Sequence, residues 1–429
     1  MSVSELPSWF KPRNYIHFDW PIKSSAFNKI SNYVLNPETI AKHSFYPFIN
    51  YSIKTIKVRK DEHGKIIPKP KIRPISYAGH LDSQIYSYYS FLLSLIYEEK
   101  LQKTTASQSI LAFRKLGKSN VDFANDAFTE ILSLAPCTAI AIDITKFFDS
   151  LDHQTLKKAW AELIDQKSLP KDHYNVYKSL TNHCSVDREV LYENLGISKS
   201  NPKSKSQRIC SPKEFRQLVR SKKLLVVNKD IKGIPQGSPI SALLSNIYMF
   251  NFDIEISNII EEVGGKYFRY CDDMLILVKP EFASGVESQI NKILRKLKLD
   301  VHPDKTDVVH FRKQGGLVTS IGKPLQYLGF TFDGIKILIR SASIAKYTER
   351  MRRGIALAKA TKRKKDKLKD KHGLIKKPLF KTKIYEQYSH LGRRNFIRYG
   401  LRASSSMKSK HIRKQLNSLW EKLQKEIHS

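Results

Sequence analysis

Cysteine and long apolar runs are both scarce in this chain of 429 residues. Its 4 cysteines form no Cys-x-x-Cys pair and no histidines stand at ligand spacing, which excludes a zinc-ribbon site and a disulfide scaffold. No stretch approaches the roughly 18 apolar residues that a transmembrane helix needs, and the N-terminus lacks the pattern of a secretory signal. We therefore expect a cytoplasmic protein with no membrane partner.

Acidic residues are scarce as well, with 40 Asp and Glu against 75 Lys and Arg, a formal net charge of +35. This balance excludes an ordinary small-molecule enzyme and indicates a polyanionic partner, because cations that neutralise phosphates release counterions. A role in solubility alone is the alternative. Hydrophobic residues make up 41% of the chain and aromatic residues 10%, which excludes wholesale disorder.

The positive charge is concentrated at the C-terminus. Residues 341–429 contain 26 Lys and Arg against 6 Asp and Glu, a net charge of +20. Apolar residues recur there at helical spacing and predict basic helices with one buried face. The residues of this pattern are Ile384, Tyr388, Leu391, Ile412, Leu416, Leu419 and Leu423. The charge run 361–371 indicates a solvated helix face or a linker.

The rest of the chain alternates short β-rich runs with helical periods, which indicates an α+β fold. The predicted strands are 138–144, 267–278 and 325–332, and the predicted helices are 240–260 and 286–299. The polar, basic segment 198–223 indicates a surface insertion. The aromatic segment 9–20 is predicted to pack on a core, with base stacking as the alternative.

Three acidic residues stand at the ends of strand-like runs. Asp143 ends an apolar run, and an unpaired buried carboxylate is costly unless it is hydrogen bonded, protonated or bound to metal. Asp272 and Asp273 lie between two runs, where a hairpin turn is expected and where turn chemistry alone would explain them. If the strands are neighbours, the carboxylates converge and repel one another without cations. Two Mg²⁺ ions would relieve this repulsion and support nucleotidyl transfer.

The segment 233–241 (GIPQGSPIS) lies between the two acidic segments and precedes an amphipathic stretch. Gly237 permits close approach of a ligand to the backbone, and Gln236 offers both a donor and an acceptor. A turn that starts a helix is the alternative.

Taken in order, these segments resemble a reverse transcriptase. The motifs are Asp143 with Phe147-Phe148, GIPQGSPIS, the Tyr270-Cys-Asp-Asp273 box, Lys71-Ile-Arg-Pro-Ile-Ser76 with Asp82-Ser-Gln-Ile85, Leu297 to Thr306, and Tyr327-Leu-Gly-Phe330. The resemblance implies a right-hand polymerase with fingers, a ferredoxin-like palm and a basic α-helical thumb. The predicted parts are an N-terminal extension (1–50), fingers (51–136 and 165–230, with the basic insertion 198–223), palm (137–164 and 231–340) and thumb (341–429).

The resemblance also implies roles for individual residues. Asp143, Asp272, Asp273 and the Ile144 carbonyl hold two Mg²⁺ ions, and Asp272 is the stronger candidate of its pair because neighbouring strand residues face opposite ways. The residues implied to contact the deoxynucleotide are Lys71, Arg73, Phe148 (a gate against the 2′-hydroxyl), Gln236, Gly237 and Lys305. Lys71 is equally well explained as a surface cation. For Lys305 the expected role is to neutralise phosphate, with protonation of the departing pyrophosphate as the alternative. Leu328, Gly329 and Phe330 position the primer end.

Among reverse transcriptases, the chain is most similar to class 2 of the bacterial defence-associated group. It lacks the N-A-x-x-H and V-T-G elements of retron enzymes and shows no Cys/His pairs after the basic segment. The class implies that a bound, structured non-coding RNA is copied into cDNA from dNTPs, in defence against phage. The alternatives are a retron or group II intron-type enzyme outside defence, an RNA-templated RNA polymerase, and a catalytically silent RNA-binding scaffold.

Overall fold

The computed structural model describes residues 6–60, 66–203, 206–301 and 306–429. Its strands are β1 Phe48–Lys60, β2 Ile66–Tyr77, β3 Cys137–Asp143, β4 Cys184–Asp187, β5 Val226–Val227, β6 Lys266–Tyr270, β7 Asp273–Val278, β8 Asp307–Gln314, β9 Leu317–Ser320, β10 Leu325–Tyr327, β11 Phe330–Phe332 and β12 Ile337–Ile339. Its α-helices are α1 Phe27–Val34, α2 Pro37–Ala41, α3 His80–Gln102, α4 Asn120–Leu134, α5 Phe147–Ser150, α6 His153–Leu163, α7 Lys171–Thr181, α8 Arg188–Asn194, α9 Pro212–Glu214, α10 Ser241–Tyr248, α11 Phe250–Glu262, α12 Ala283–Lys296, α13 Ser341–Lys371, α14 Thr382–Tyr388, α15 Phe396–Ser406 and α16 Lys410–His428. None of these described helices is long and apolar enough to cross a membrane.

The chain divides into two compact units. The first comprises the chain up to Phe113 together with Ile144–Ile256 and Ile290–Val301, and the second comprises Arg114–Asp143, Ser257–Gln289 and His302–Ser429. One of the boundaries between the two units is the peptide bond between Asp143 and Ile144. The division groups residues differently from the predicted fingers and palm, whose boundaries stay a prediction.

The first unit is built around a four-stranded sheet in the order β2-β1-β4-β5. Its long β1–β2 hairpin is antiparallel, and β1 continues the sheet through a parallel pairing with β4. Beside this sheet, Ile16, Phe18, Ile49 and Val186 form a small core. The predicted packing of the segment 9–20 is confirmed by these residues, since aromatic side chains bury a large apolar area.

The basic segment 198–223, predicted to be a surface insertion, is mostly exposed but buries a few apolar side chains, and its assignment as an insertion stays a prediction. Ile209, Cys210 and Val219 are buried in the same small core, and the Phe215 ring packs edge-on against Phe18 with 4.8 Å between centroids. The apolar side chains among its cations explain this packing, because burying each one is favourable by roughly 1.5–3 kcal/mol. The segment is therefore part of the packing of the first unit.

The second unit contains an antiparallel five-stranded sheet in the order β6-β7-β3-β8-β9. The predicted strand runs are confirmed: β3 pairs with both β7 and β8, and β6 forms a hairpin with β7. One face of the sheet packs on α4 and on the small sheet β10-β11-β12, through residues such as Ala139, Leu275 and Phe311. This arrangement makes β3 a central strand, so its near-continuous apolar run is buried.

The basic helices of residues 341–429 share this core. Ile412, Leu416, Leu419 and Leu423 are buried as predicted, whereas Leu391 lies beyond the end of α14 and is exposed. Gln415 of α16 also binds the edge strand β12, accepting from the Ile339 N–H (2.9 Å) and donating to its carbonyl (3.1 Å). The run 361–371 forms the mostly exposed second half of α13. We refer to residues 341–429 below as the C-terminal segment.

Candidate active site

Two of the predicted metal-binding acids lie directly opposite each other on neighbouring strands. Asp143, the last residue of β3, pairs with Asp273, the first residue of β7. Paired residues of an antiparallel sheet stand about 4.5–5.5 Å apart and place their side chains on the same face. Asp273 is exposed and Asp143 is partly buried. The predicted neighbourhood of the two acidic segments is therefore confirmed, in the form of a facing pair.

The third acid, Asp272, lies in the turn of the β6–β7 hairpin. Tyr270 pairs with Asp273, which leaves Cys271 and Asp272 as a two-residue turn. Cys271 has φ of 62°, a left-handed conformation that two-residue hairpins require and that is strained for a residue other than glycine. Because Asp272 is in a turn, the strand-alternation argument that ranked it above Asp273 does not apply. Which of Asp272 and Asp273 is the stronger metal ligand therefore stays open.

The Cys271 thiol is buried in this turn. Burial, and next the carboxylate of Asp272, raise the pKa of the thiol far above its usual range. A thiol held neutral is a poor nucleophile and a poor metal ligand. The conformation of the turn, and not the reactivity of the sulfur, is therefore the contribution of Cys271 to the site.

The facing acids fit a magnesium site that is completed by substrate. In the part of the chain that the structure describes, no three His, Cys, Asp or Glu side chains are grouped closely enough to hold an ion, so the predicted convergence of all three carboxylates is not observed. Mg²⁺ prefers hard oxygen ligands, and in sites that handle phosphates it is bound by one or two carboxylates together with substrate oxygens and water. An exposed carboxylate opposite a second one provides that donor set.

The predicted sugar gate, Phe148, is held in the first unit by main-chain bonds. It lies on the short helix α5 beside the buried Phe147, with 5.7 Å between ring centroids, and its own side chain is only partly buried. The Ile234 N–H donates to the Phe148 carbonyl (3.0 Å), and the Gly233 N–H donates to the carbonyl of Leu151 (2.8 Å). The segments that contain Phe148 and GIPQGSPIS are thus joined to each other.

The same loop is bound to strand β2. The Ser76 N–H donates to the Gln236 carbonyl (2.8 Å). The Gln236 side chain is partly exposed. A Cβ on Gly237, whose φ is 113°, would lie 2.6 Å from the Ser76 carbonyl oxygen. A close approach of the protein's own backbone therefore already requires glycine at this position, and the approach of a ligand to Gly237 stays a prediction. Gly237 remains part of the loop that presents Gln236.

The predicted triphosphate clamp lies further along β2. Lys71 and Arg73 are two residues apart on this strand and so share one face. Arg73 is exposed and stands opposite Ile53 of β1, whereas Lys71 is partly buried opposite Thr55. Lys305 lies outside the described residues.

The predicted primer-positioning residues form the turn between β10 and β11. Leu328 and Gly329 both have positive φ, 44° and 94°, as a type I′ hairpin turn requires, and Phe330 begins β11. Leucine is strained in this conformation, so the turn needs support. The Asn120 side chain at the start of α4 supplies it by donating to the Leu328 carbonyl (3.1 Å) and to the Tyr399 hydroxyl (2.9 Å).

Two residues near the site, Asn120 and Tyr327, were assigned no individual role from the sequence. Asn120 follows the capping box of Ser119 and Asp122, a sequence signal that locates the start of a helix but says nothing of a bond to Leu328. Tyr327 is buried, and its hydroxyl has no hydrogen-bond partner among the described residues. Burial, and next the charge of Asp273, raise the pKa of this phenol far above its usual range. Tyr327 is therefore a neutral hydroxyl close to a predicted metal ligand.

An antiparallel sheet that ends in facing carboxylates and packs on helices is consistent with the palm of a right-hand polymerase. Residues 60–332 match the model of the family described as "Reverse transcriptase (RNA-dependent DNA polymerase)". Since the match covers more than half of the chain, the protein belongs to the reverse transcriptase family. A search of curated proteins found no match.

Solved structures that resemble the chain include telomerases from two yeasts. Apo telomerase from Candida tropicalis, truncated from its C-terminal domain, superposes with a TM-score of 0.43 at 13% identity, over 75% of this chain and 61% of that one. Telomerase from Candida albicans, in complex with a fragment of telomeric RNA, gives 0.39 at 12% identity, over 93% and 66%. The chain thus spans less than two thirds of the length of these telomerase chains.

Proposed function

We propose that the protein is an RNA-directed DNA polymerase that copies a bound, structured non-coding RNA into cDNA. The observation that carries the proposal is the facing pair of Asp143 and Asp273 at the end of the β3–β7 strands. Carboxylates pointing to one face from neighbouring strands repel each other, and a polymerase makes use of this repulsion by binding cations there. The family match over residues 60–332 supports the same reaction.

Asp143 and Asp273, which face each other, would hold Mg²⁺ together with substrate oxygens, and the Ile144 carbonyl, with Asp272 in the adjoining turn, would complete the ligands of two ions. Bound there, the ions supply activation of the primer hydroxyl and stabilisation of the leaving pyrophosphate. The chain's own task is to hold the carboxylates in place. The main-chain pairing of β3 with β7 fixes Asp143 and Asp273, and the Cys271–Asp272 turn fixes Asp272.

The deoxynucleotide is bound by residues of the first unit. Phe148 stacks under the sugar and excludes a 2′-hydroxyl, and Gln236 contacts the sugar or the templating base pair. The Arg73 guanidinium suits the triphosphate because its planar fork binds phosphate oxygens in pairs, with Lys71 as a second cation. Lys305 neutralises the departing pyrophosphate. Support for this assignment comes from the main-chain bonds that join the segments of Phe148, Gln236 and Ser76.

The RNA is held by the C-terminal segment, whose net charge is +20. Structured RNA is bound mainly through phosphates and 2′-hydroxyls, which a basic helical surface can contact without reading bases. We place the activity in the cytoplasm and in defence against phage, on the resemblance to class 2 of the defence-associated group.

Primer extension on an RNA template tests the reaction. We expect the wild-type protein to incorporate dNTPs in Mg²⁺ and Asp143→Asn to lose activity by roughly a thousandfold, because a metal ligand contributes several kcal/mol to the transition state. The matched control is Asp149→Asn, an exposed acid six residues further along, which should retain activity. A wild-type protein that extends no primer would indicate a scaffold, and activity of Asp143→Asn equal to that of an active wild type would refute the proposed metal site.

The choice of nucleotide and of template needs two further measurements. Phe148→Ala should admit ribonucleotides; if it still refuses them, the gate is elsewhere. If wild-type protein prefers ribonucleotides, the enzyme is an RNA polymerase. Sequencing the nucleic acid that copurifies with wild type and with Asp143→Asn should yield one structured RNA in both samples and its cDNA in the first alone. A sample without RNA would contradict the proposed template.

A further inference from the structure

A concavity of about 670 Å³ lies in the C-terminal segment, between helix α16 and the loop that joins α14 to α15. Its position is outside residues 60–332, which match the family. Helix α16 contributes Arg413, Leu416, Asn417 and Trp420 to the lining, followed by the exposed acid Glu421. The first four positions follow the i, i+3, i+4, i+7 spacing of one helix face. Along the helix, this face presents in turn the Arg413 cation, the apolar Leu416, the Asn417 amide and the Trp420 ring.

The opposite wall is a loop that is fixed by hydrogen bonds. The Asn395 side chain donates to the carbonyls of Glu386 (2.8 Å) and Ser389 (2.7 Å), and the Arg398 side chain donates to the carbonyl of Gly392 (3.1 Å). A Cβ on Gly392 would overlap the Glu386 carbonyl, so the loop packs as closely as a backbone can. The concavity is therefore formed before any ligand binds, which lowers the entropy cost of binding.

The aromatic ring of the concavity is held at a fixed orientation. His390 packs edge-on against Trp420 with 5.0 Å between ring centroids, and Tyr385 lies 5.9 Å from the same ring. Trp420 is nevertheless only partly buried. One part of its surface is thus supported by neighbouring rings while another remains accessible to a ligand.

The lining matches the chemistry of a nucleotide. An aromatic ring over an apolar floor stacks a base, an amide can donate to and accept from a base edge, and the exposed guanidiniums of Arg398 and Arg413 suit phosphate. The net charge of +20 in the C-terminal segment favours a polyanion over a cation, with Arg398 and Arg413 outnumbering the one acid of the lining, Glu421. Bases in a helix are stacked and inaccessible, so only an unpaired one can enter.

We propose that this concavity binds a single unpaired nucleotide of the RNA, with its base on Trp420 and Asn417 and its phosphates at Arg398 and Arg413. The proposal rests on the RNA binding proposed above and adds a place where the protein recognises a defined feature of that RNA. A bulged or looped nucleotide anchored there sets which position along the RNA the C-terminal segment occupies.

Equilibrium binding to three RNA hairpins tests the proposal. The first carries one unpaired adenosine in its stem, the second an abasic residue at that place, and the third is fully paired. Wild-type protein should bind the first about tenfold more tightly than the other two, the effect of one stacked base. Trp420→Ala and the exposed Asn417→Ala should remove this preference and leave binding to the other hairpins unchanged. The matched control is Trp20→Ala, another partly exposed tryptophan, which should keep the preference.

The two proposals fail in different ways. Arg413→Ala should weaken binding to all three hairpins, because a phosphate contact does not depend on the base. If wild type shows no preference for the unpaired adenosine, or if Trp420→Ala and Asn417→Ala weaken all hairpins equally, the nucleotide site is refuted while RNA binding stands. If no hairpin binds at all, the proposed RNA partner is refuted too.

Discussion

The acid pair at the end of β3 and β7 and the basic concavity beside α16 are held in place by different means. Asp143 and Asp273 are positioned by the hydrogen bonds of the sheet, which do not depend on the neighbouring side chains. The concavity is positioned by side chains, through Asn395, Arg398 and the ring contacts of Trp420. The first arrangement is specified by strand register, and the second by packing of particular residues. The proposed catalytic acids are thus positioned by the backbone, and the proposed nucleotide site is positioned by side chains.

The largest expected effect is a loss of catalysis, without a loss of RNA binding, when an acid of the sheet is changed. Asp273→Asn should lower the rate of nucleotide incorporation by roughly a thousandfold, because it removes the ligand that faces Asp143. RNA affinity and thermal stability should be those of wild type, since Asp273 is exposed and the register does not involve its side chain. Filter binding and melting curves provide the controls. Loss of RNA affinity in this variant would show that the two regions are not independent.

Removing charge from the C-terminal segment should weaken RNA binding and leave catalysis unchanged. The exposed lysines 364, 365, 367 and 371 of α13 can be changed to glutamine together. We expect RNA affinity to fall, and the slope of log affinity against log salt to decrease by roughly 0.7–0.9 for each phosphate that the variant no longer neutralises. The kcat at saturating RNA should be unchanged. An unaltered salt slope would mean that this part of α13 does not bind RNA.

Asn120→Ala tests a side chain that supports the sheet region. The change leaves the strained Leu328–Gly329 turn without its hydrogen bond, so the KM for primer–template should rise by about tenfold, from roughly 1.4 kcal/mol of weaker positioning, with a smaller effect on kcat. Asn125→Ala on the same helix is the matched control and should behave as wild type. If both variants lowered kcat and stability equally and left the KM unchanged, Asn120 would have a structural role only.

The smallest effect concerns the turn that contains Cys271. Cys271→Val should lower the free energy of unfolding by about 1–2 kcal/mol, because a β-branched residue is disfavoured at positive φ. Cys271→Gly should remain within about 1 kcal/mol of wild type and keep its activity. Urea denaturation of the three proteins measures the difference. Valine tolerated as well as glycine would indicate that the turn relaxes.

The sequence predicted the acid pair better than it predicted the concavity, for the same physical reason. An apolar run that ends in an acid, and a second run that begins with one, specify strands and their facing ends because register follows from alternation. Asp143 and the Asp272–Asp273 pair were located in this way, although the sequence ranked Asp272, which lies in the turn, above Asp273, which faces Asp143. The predicted helix pattern also located Leu416 on a buried face. Nothing in that pattern indicates that Asn417 and Trp420 lie opposite a fixed loop, since the loop arrives from elsewhere in the chain.

Tertiary contacts that were not predicted have similar causes. Gly237 was expected to make room for a ligand, and the structure adds a close approach by the Ser76 carbonyl, a neighbour that is distant in sequence. The segment 198–223 was judged by its charge, and its few apolar side chains decided its packing. In both cases the structure adds a tertiary contact to the local signal. Motif spacing alone carries no record of such contacts.

A single hydrophobic core joins the acid-bearing sheet to the basic helices, since Ala139, Leu275 and Phe311 are buried in the same cluster as Ile412 and Leu416. A ligand that binds the helices in their folded form therefore adds its binding energy to the stability of the sheet, by about 2.7 kcal/mol at a hundred times its Kd. If these helices bind the RNA as proposed, the RNA stabilises the fold of the polymerase that copies it. Protein synthesised without that RNA should then be more readily degraded, and the cellular level of the enzyme should follow that of the RNA.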